Sequence, residues 1–327
     1  MFWCQITFLI FFILAISNVL GSLGDRLIIY RNELQSCLEA NCSSPTLLNQ
    51  FYSSQLFFMK LFGWDCLDEC RYQSQWYTLE ELRRHNYTQV PQFYGKWTFY
   101  RFYGIQEPAS FFFSLLNLFA NLFGWLRYCR FTEKLDPLYS VWKIQTFLTI
   151  NAWFWSTVYH GRDTIISEKL DYYSAYSVII FFLCAIAIKM LSQYTNNSLT
   201  FITVSMPFLA FYIYHTIYLH LIHFDYGYNM KVNVATGLLS TIGWLFWCVQ
   251  NRSNRKHIWK CYLSLLGINF GLILELFDFP PIAFTFDAHS LWHLWTIPFS
   301  LVWFSFLTDE AHYLTKNLHI ESKKKIV

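Results

Sequence analysis

The sequence predicts an all-α membrane protein with seven transmembrane helices and a small disulfide-containing region near the N-terminus. Its composition is 55% hydrophobic, 21% aromatic and 14% charged, whereas a soluble globular protein carries about 25% charged residues. Apolar runs of about 20 residues, the length of a transmembrane helix, recur after residue 100. These observations exclude a disordered chain, a coiled coil and an ordinary cytosolic enzyme. The formal charge of +3 comes without a basic stripe, so nothing indicates nucleic-acid binding.

Residues 1–22 are predicted to be a signal peptide. Residues 1–16 are almost continuously apolar, and the small residues Ser17, Gly21 and Ser22 follow them. This pattern is typical of a segment that is removed during export. No Lys or Arg precedes the apolar run, so an uncleaved first anchor is the alternative.

Residues 23–100 form a polar region that contains no apolar run long enough to cross a membrane. Four of the nine cysteines lie here, at Cys37, Cys42, Cys66 and Cys70. An even number of cysteines in an exported segment predicts two disulfides, and the sequence leaves three pairings open. Zinc binding is the alternative, although thiolate zinc sites usually have closer spacing and reducing surroundings. Glycosylation sequons at Asn41 and Asn86 fit a lumenal location.

Residues 101–310 are predicted to hold the seven transmembrane helices. All should be helical, because lipid offers no partner for unpaired backbone groups. The expected spans lie near 108–128, 140–160, 171–190, 199–220, 231–250, 260–278 and 287–307.

The distribution of lysine and arginine predicts the orientation of the chain. Twelve of these residues fall on one side of the predicted membrane: Arg127, Arg130, Lys134, Lys189, Arg252, Arg255, Lys256, Lys260, Lys316, Lys323, Lys324 and Lys325. The short loops on the other side hold only Arg162, Lys169 and Lys231. Positive residues prefer the cytosolic side, so the tail (311–327) is expected in the cytosol and residues 23–100 in the lumen.

The C-terminus ends in the residues Lys324 and Lys325 followed by Ile-Val. This ending is similar to a cytosolic dilysine retrieval signal and predicts residence in the Golgi or endoplasmic reticulum membrane. A simple positively charged anchor is the alternative.

Polar residues cluster at the predicted lumenal ends of the spans, and ionisable groups within a membrane indicate functional sites. His289 and His293 are four residues apart, so a helix places them on the same face. Ser156 and His160 have the same spacing on another span. Three histidines from two helices can fill three zinc positions and leave the fourth for water, which is typical of a catalytic site. Packing or interhelical hydrogen bonding is the alternative.

Four aspartates accompany these histidines: Asp163, Asp171, Asp278 and Asp287. Asp171 and Asp287 can instead be the N-caps of the third and seventh spans. Asp163 can instead pair with Arg162 or Lys169 in a solvated loop. Three further histidines, around the lumenal end of the fourth span, are expected at the membrane interface: His215, His220 and His223.

Several strings of this sequence resemble the Per1-like family: QFYGKW (92–97), GIQEPAS (104–110), NAWFWSTVYHGRDT (151–164), EKLDYY (168–173), FDYGYN (224–229), LELFDFPP (274–281) and DAHSLWH (287–293). The resemblance runs from about residue 24 to 312. The family belongs to a superfamily of seven-helix hydrolases that includes alkaline ceramidases and progestin/adiponectin receptors. This chain departs from the family at Tyr94 and Thr98, where relatives have His and Pro. It also lacks a cysteine pair that corresponds to Glu33 and Ser74.

The resemblance implies an enzyme that removes the sn-2 acyl chain from the phosphatidylinositol of GPI-anchored proteins in the Golgi or endoplasmic reticulum. GPI-anchored proteins and membrane lipid would be its partners. It implies zinc on His160, His289 and His293, and catalytic roles for Ser156 and Asp171. Asp171 would orient or deprotonate the attacking water, and Ser156 would help to stabilise the oxyanion. The remaining acidic residues would support the site: Asp163, Asp278 and Asp287.

Two other functions remain open at this point. One is a zinc-dependent lipid amidase similar to the ceramidases. The other is a non-catalytic receptor or cargo factor for GPI-anchored proteins.

Overall fold

The structure is a computed structural model that describes residues 22–132, 136–195, 197–222 and 224–324, without the side chains of 275–276 and 317–324. Residues 1–21 of the predicted signal peptide lie outside the described residues, as does Lys325 of the predicted retrieval signal. The described residues form helices and three isolated β-bridges, and no strand occurs among them. The all-helical prediction is therefore confirmed.

Four helices form the N-terminal region: α1 (Ile28–Asn41), α2 (Pro45–Ser54), α3 (Phe57–Leu61) and α4 (Cys66–Arg84). The Ser44 hydroxyl accepts the backbone N–H of Leu47, and the Asp65 carboxylate accepts that of Asp68. These two bonds satisfy exposed donors at the starts of α2 and α4, which is why those helices begin there.

Two disulfides join α1 to α4, which confirms the prediction of two bridges among the four cysteines. Cys37 pairs with Cys70, and Cys42 pairs with Cys66. Because α1 and α4 are the two longest helices of the region, the bridges hold its main helix pair together.

Seven further α-helices follow: α5 (Pro108–Thr132), α6 (Tyr139–Gly161), α7 (Ile165–Leu191), α8 (Ser198–Ile217), α9 (Tyr226–Asn251), α10 (Ile258–Leu276) and α11 (Ala288–Lys324). A π-helical turn, Tyr218–Ile222, extends α8. Five of these helices are long and apolar enough to cross a membrane, namely α5, α7, α8 with its extension, α9 and α11. A helical membrane protein is thus confirmed, and seven crossings stay a prediction.

The two remaining helices differ from the five for identifiable reasons. The apolar part of α10, Ile258–Leu274, is shorter than the other spans. In α6, polar side chains such as Gln145, Ser156 and His160 face the protein interior, where each is less than a tenth exposed. The low hydropathy of α6 therefore reflects a polar face that is buried against other helices.

The bundle is closed by α11, which packs along both α5 and α10. Close approach relies on glycines: a Cβ on Gly124 would lie 2.2 Å from the Phe304 ring, and one on Gly267 would lie 2.1 Å from the Phe299 ring. Small residues at helix contacts are the usual basis of tight packing in membranes. This packing brings the start of α11 next to the end of α6, where the predicted site lies.

Candidate metal centre

Three histidine side chains meet where the end of α6 faces the start of α11. The Nε2 atom of His160 lies 3.3 Å from Nε2 of His289 and 3.2 Å from Nε2 of His293. The last two Nε2 atoms are 2.9 Å apart. His160 and His293 are almost fully buried. The structure thus brings together all three histidines that the sequence predicted as ligands, and they form a group able to hold a metal ion.

These distances fit a tetrahedral zinc ion. Zinc–nitrogen bonds of about 2.0–2.1 Å require ligand nitrogens roughly 3.3–3.4 Å apart, close to the spacing of the three Nε2 atoms. Hydrogen bonds among the rings cannot replace the ion at all three atoms, because a neutral imidazole nitrogen either donates one proton or accepts one. The donor set therefore suits a metal ion with a fourth, open position.

Glu107 is the partner of the first histidine. Its Oε2 atom lies 2.7 Å from Nδ1 of His160 in a buried contact. Since the carboxylate accepts, the imidazole proton is on Nδ1, and the lone pair of Nε2 points to the other histidines. A carboxylate that fixes the tautomer of a ligating histidine is the usual outer shell of a zinc site.

The backbone delivers Glu107 to this position. The N–H of Gln106 donates to the carbonyl of Gly161 over 3.0 Å, and the N–H of Glu107 donates to the carbonyl of His160 over the same distance. The last carbonyls of a helix have no partner within the helix. The segment before α5 satisfies two of them at the end of α6, and this places its carboxylate against the His160 ring.

Lys96 completes the arrangement. Its ammonium group lies 2.8 Å from Glu107 and 2.9 Å from Asp163, above the ring of Tyr159. Burial by itself would raise the pKa of the Glu107 carboxyl, but the charge of Lys96 and the contact with His160 hold the pKa well below its usual range. Glu107 is therefore ionised and able to accept from His160.

A folded loop between α10 and α11 presents the other two histidines. Ala283 and Phe284 have φ of +53° and +52°, a backbone conformation that residues other than glycine rarely adopt. The N-terminal region holds this loop: the N–H of Tyr100 donates to the Phe284 carbonyl over 2.9 Å, and Trp76 packs against the Phe284 ring. The start of α11 is thus positioned by contacts from outside the bundle.

With this geometry in place, comparison with known proteins identifies the family. The model of the Per1-like family matches residues 57–311. The chain belongs to the Per1-like family.

Curated relatives in this family align with nearly the whole chain. The mouse protein named GPI-specific phospholipase A2-like PGAP3 is 41% identical over 305 residues, which covers 93% of each chain. Its human counterpart is 41% identical over 304 residues, covering 90% of this chain and 91% of the relative. The Drosophila melanogaster protein named post-GPI attachment to proteins factor 3 is 38% identical over 294 residues, covering 88% and 89%. No solved structure matches.

The two residues to which the family resemblance gives catalytic roles lie on α6 and α7. Ser156, one turn before His160, is buried, and its hydroxyl lies 3.0 Å from that of Ser114 on α5. Asp171 is half-buried on α7. The alternative reading of Asp171 as an N-cap is wrong, because α7 begins six residues earlier with a capping box formed by Thr164 and Ser167.

The predicted supporting aspartates have three different settings. The Asp287 carboxylate accepts the N–H of Ser290 over 2.8 Å, as the alternative N-cap reading of α11 expected. Asp163 pairs with Lys96, so the expected pairing with Arg162 or Lys169 in a solvated loop is wrong. Asp278 accepts hydrogen bonds from Gln92 and Trp97 and so ties the N-terminal region to the α10–α11 loop.

Cys42, Cys66 and Cys70 lie close together, but their sulfurs are joined in disulfides, so thiolate zinc binding by them is excluded. The interfacial position expected for the three histidines around the end of the fourth span stays a prediction: His215 is buried, with Nε2 3.1 Å from the Asn229 side chain, and His223 lies outside the described residues. Sequence reasoning also assigned no role to Glu107 or Lys96, although both lie in strings shared with the family.

Proposed function

We propose that this chain hydrolyses the sn-2 acyl ester of the phosphatidylinositol in GPI-anchored proteins, at a zinc ion held by His160, His289 and His293. The observation that carries the proposal is the convergence of three histidine Nε2 atoms within 2.9–3.3 Å. The names of relatives about 40% identical over nearly the whole chain supply the substrate class. Remodelling of GPI anchors is the coarser function on which the hydrolysis rests.

A zinc ion with an open position supplies a Lewis acid and lowers the pKa of water to about 7, which suits ester hydrolysis at neutral pH. The chain's own contribution begins with Glu107. By accepting the Nδ1 proton of His160, it keeps the Nε2 lone pair directed at the centre. Lys96 holds Glu107 ionised and in place.

Asp171 would take a proton from the attacking water and return it to the sn-2 oxygen as the ester bond breaks, which leaves a free fatty acid and a lysolipid hydroxyl. Ser156 would donate a hydrogen bond to the oxyanion. The hydroxyl of Ser156 can turn towards substrate because its neighbour Ser114 can either donate or accept. Aromatic rings pack against the histidines: Trp153 packs edge-on against His293, and Trp292 packs against His289. Such surroundings strengthen the electrostatic contribution of the polar groups.

In the orientation predicted from the sequence, residues 23–100 and the histidines would lie on the lumenal side of a Golgi or endoplasmic reticulum membrane. The positive residues at the opposite ends of the predicted spans support this orientation. The acyl ester of a lipid lies just below the headgroups, which is the depth of a site at the ends of helices.

The test is release of fatty acid from a purified GPI-anchored protein in defined micelles, followed by mass spectrometry. The wild type is compared with His293→Ala and with His312→Ala. His312 is an exposed histidine on the same helix, outside the centre, so it is a matched control. Ceramide in the same micelles tests the amidase alternative.

Release of the sn-2 chain by the wild type and His312→Ala, but not by His293→Ala, is the expected result. Equal release by all three proteins would remove the three-histidine centre from the mechanism. Release from ceramide alone would replace the ester substrate by an amide. No release by any folded, metal-loaded protein would leave a binding or cargo role.

A further inference from the structure

The N-terminal region exposes an apolar surface on α3. Leu56, Phe57 and Leu61 are 75%, 70% and 65% exposed. The chain between Glu39 and Asp65 contains a single charged residue, Lys60, and it is exposed as well. Exposed apolar clusters of this kind mark contact sites rather than ordinary protein surface.

A row of aromatic contacts joins α3 to the membrane-crossing part of the protein. The Phe58 ring lies 5.1 Å from that of Tyr103, and the Tyr103 ring lies 4.7 Å from that of Phe102. Phe102 in turn lies 6.3 Å from Phe112, an exposed residue of the membrane-crossing helix α5. Since lipid covers Phe112 in a membrane, the row runs without a break from a lipid-facing surface to α3.

Two glycines allow α3 to approach the rest of the protein closely in this position. Gly104 has φ of +80°, and a Cβ there would lie 2.9 Å from the Phe58 carbonyl oxygen. A Cβ on Gly161 would lie 3.2 Å from the ring of Phe62, the residue that follows α3. Gly161 comes directly after His160. The exposed face of α3 is therefore fixed beside the end of the helix that carries the first ligand.

We propose that an apolar surface beside α3 inserts into the membrane leaflet that α5 enters. This surface, called the α3 surface, consists of Leu56, Phe57, Leu61, Phe102 and Tyr103. Lipid acyl chains are the occupant. The composition fits: aromatic residues prefer the boundary between headgroups and acyl chains, and the lysine can reach a lipid phosphate. The absence of carboxylates from 40 to 64 removes repulsion by anionic lipid. This inference goes beyond the proposed hydrolysis, since it assigns the extramembrane region its own lipid contact.

The test is nitroxide accessibility in the full-length protein, reconstituted into nanodiscs of phosphatidylcholine. p-Acetylphenylalanine replaces Phe57 or Leu61 and carries the label, so the native cysteines stay intact. Phe112 serves as the lipid-exposed reference. Tyr87 is the water-exposed control, since its side chain is 67% exposed and it lies just beyond the charged C-terminal end of α4. Helix α4 is about 28 Å long.

For the label at positions 57 and 61, the ratio of accessibility to oxygen over accessibility to Ni(II)EDDA is expected to be several-fold higher than at position 87. The ratio at position 112 should be similarly high. Values equal to those at position 87 would overturn the proposal by placing the α3 surface in water. Protection from both reagents would also overturn it, because a protein partner or a second copy would then be the occupant. None of these outcomes depends on hydrolytic activity, so the result stands apart from the proposed reaction.

Discussion

The carboxylate of Glu107 lies 2.7 Å from Nδ1 of His160, a residue 53 positions further along the chain. Glu107 precedes α5, His160 closes α6, and Lys96 from the N-terminal region binds the same carboxylate. The candidate centre therefore has three contributors: the two helices that carry the histidines and a region outside the bundle.

Replacing Glu107 by Gln should weaken metal binding by about 10–100-fold, because loss of an outer-shell carboxylate reduces the basicity and order of its histidine. Lys96→Gln should have a smaller effect in the same direction. The measurement is zinc content by elemental analysis after dialysis against a zinc buffer. Cobalt substitution adds a spectrum that reports the ligand geometry.

The matched control for Glu107 is Glu80→Gln, since Glu80 is an exposed carboxylate paired with Arg84 on α4. It should leave metal content and the cobalt spectrum unchanged. A Glu107→Gln protein with full zinc content and an unaltered cobalt spectrum would contradict the assigned role.

Removing the metal should abolish fatty acid release without unfolding the bundle. The histidines lie on long helices with extensive packing: α6 packs against α5 and α7, and α11 packs against α5 and α10. The fold therefore does not depend on three bonds to an ion. Chelation by 1,10-phenanthroline should remove the activity, and subsequent addition of zinc should restore it. Helical circular dichroism that collapses together with activity would argue for a structural metal instead.

Proteolysis under non-reducing conditions should give peptides that join Cys37 to Cys70 and Cys42 to Cys66. Replacing Cys37 and Cys70 by Ser should cost about 2–4 kcal/mol of unfolding free energy, since the bridge restricts the unfolded chain. Thermal unfolding in detergent measures this loss. Peptides that join Cys37 to Cys66 would refute the pairing.

A third bridge should form in the double variant Glu33→Cys with Ser74→Cys. Glu33 lies one turn before Cys37 on α1, and Ser74 lies one turn after Cys70 on α4. The Ser74 side chain is buried without a hydrogen-bond partner among the described residues, so little is lost by replacing it. Mass spectrometry should find no free thiol at either position, whereas two alkylated cysteines would show that the helices diverge there.

Glu310→Gln should be strongly destabilising. Glu310 is buried on α11, where it contacts Lys189 over 2.8 Å, His257 over 2.8 Å and Arg255 over 3.1 Å. Removing its charge leaves buried cations uncompensated, which costs about 3–5 kcal/mol. Asp309→Asn is the neighbouring control: its pair with Lys260 is partly exposed and is worth about 0–1 kcal/mol. Equal thermal stability of the two variants would contradict this difference.

Much of the fold class was readable from composition and pattern. Apolar runs report local burial in lipid, so the helical membrane class and most helix positions followed from the sequence. The spacing of His289 and His293 placed them on one helix face for the same local reason. The start of α7 was missed because its cap, Thr164 with Ser167, is polar and precedes the apolar run.

By itself the sequence determined a helical membrane protein, two disulfides among four cysteines and a histidine pair one turn apart. Only the tertiary structure decided which cysteines pair, that Lys96 rather than Arg162 or Lys169 binds Asp163, and that Glu107 reaches His160. The reason is physical: a periodic pattern reports the environment along one helix. A contact between side chains on different segments depends on how the helix ends meet, which no local pattern encodes.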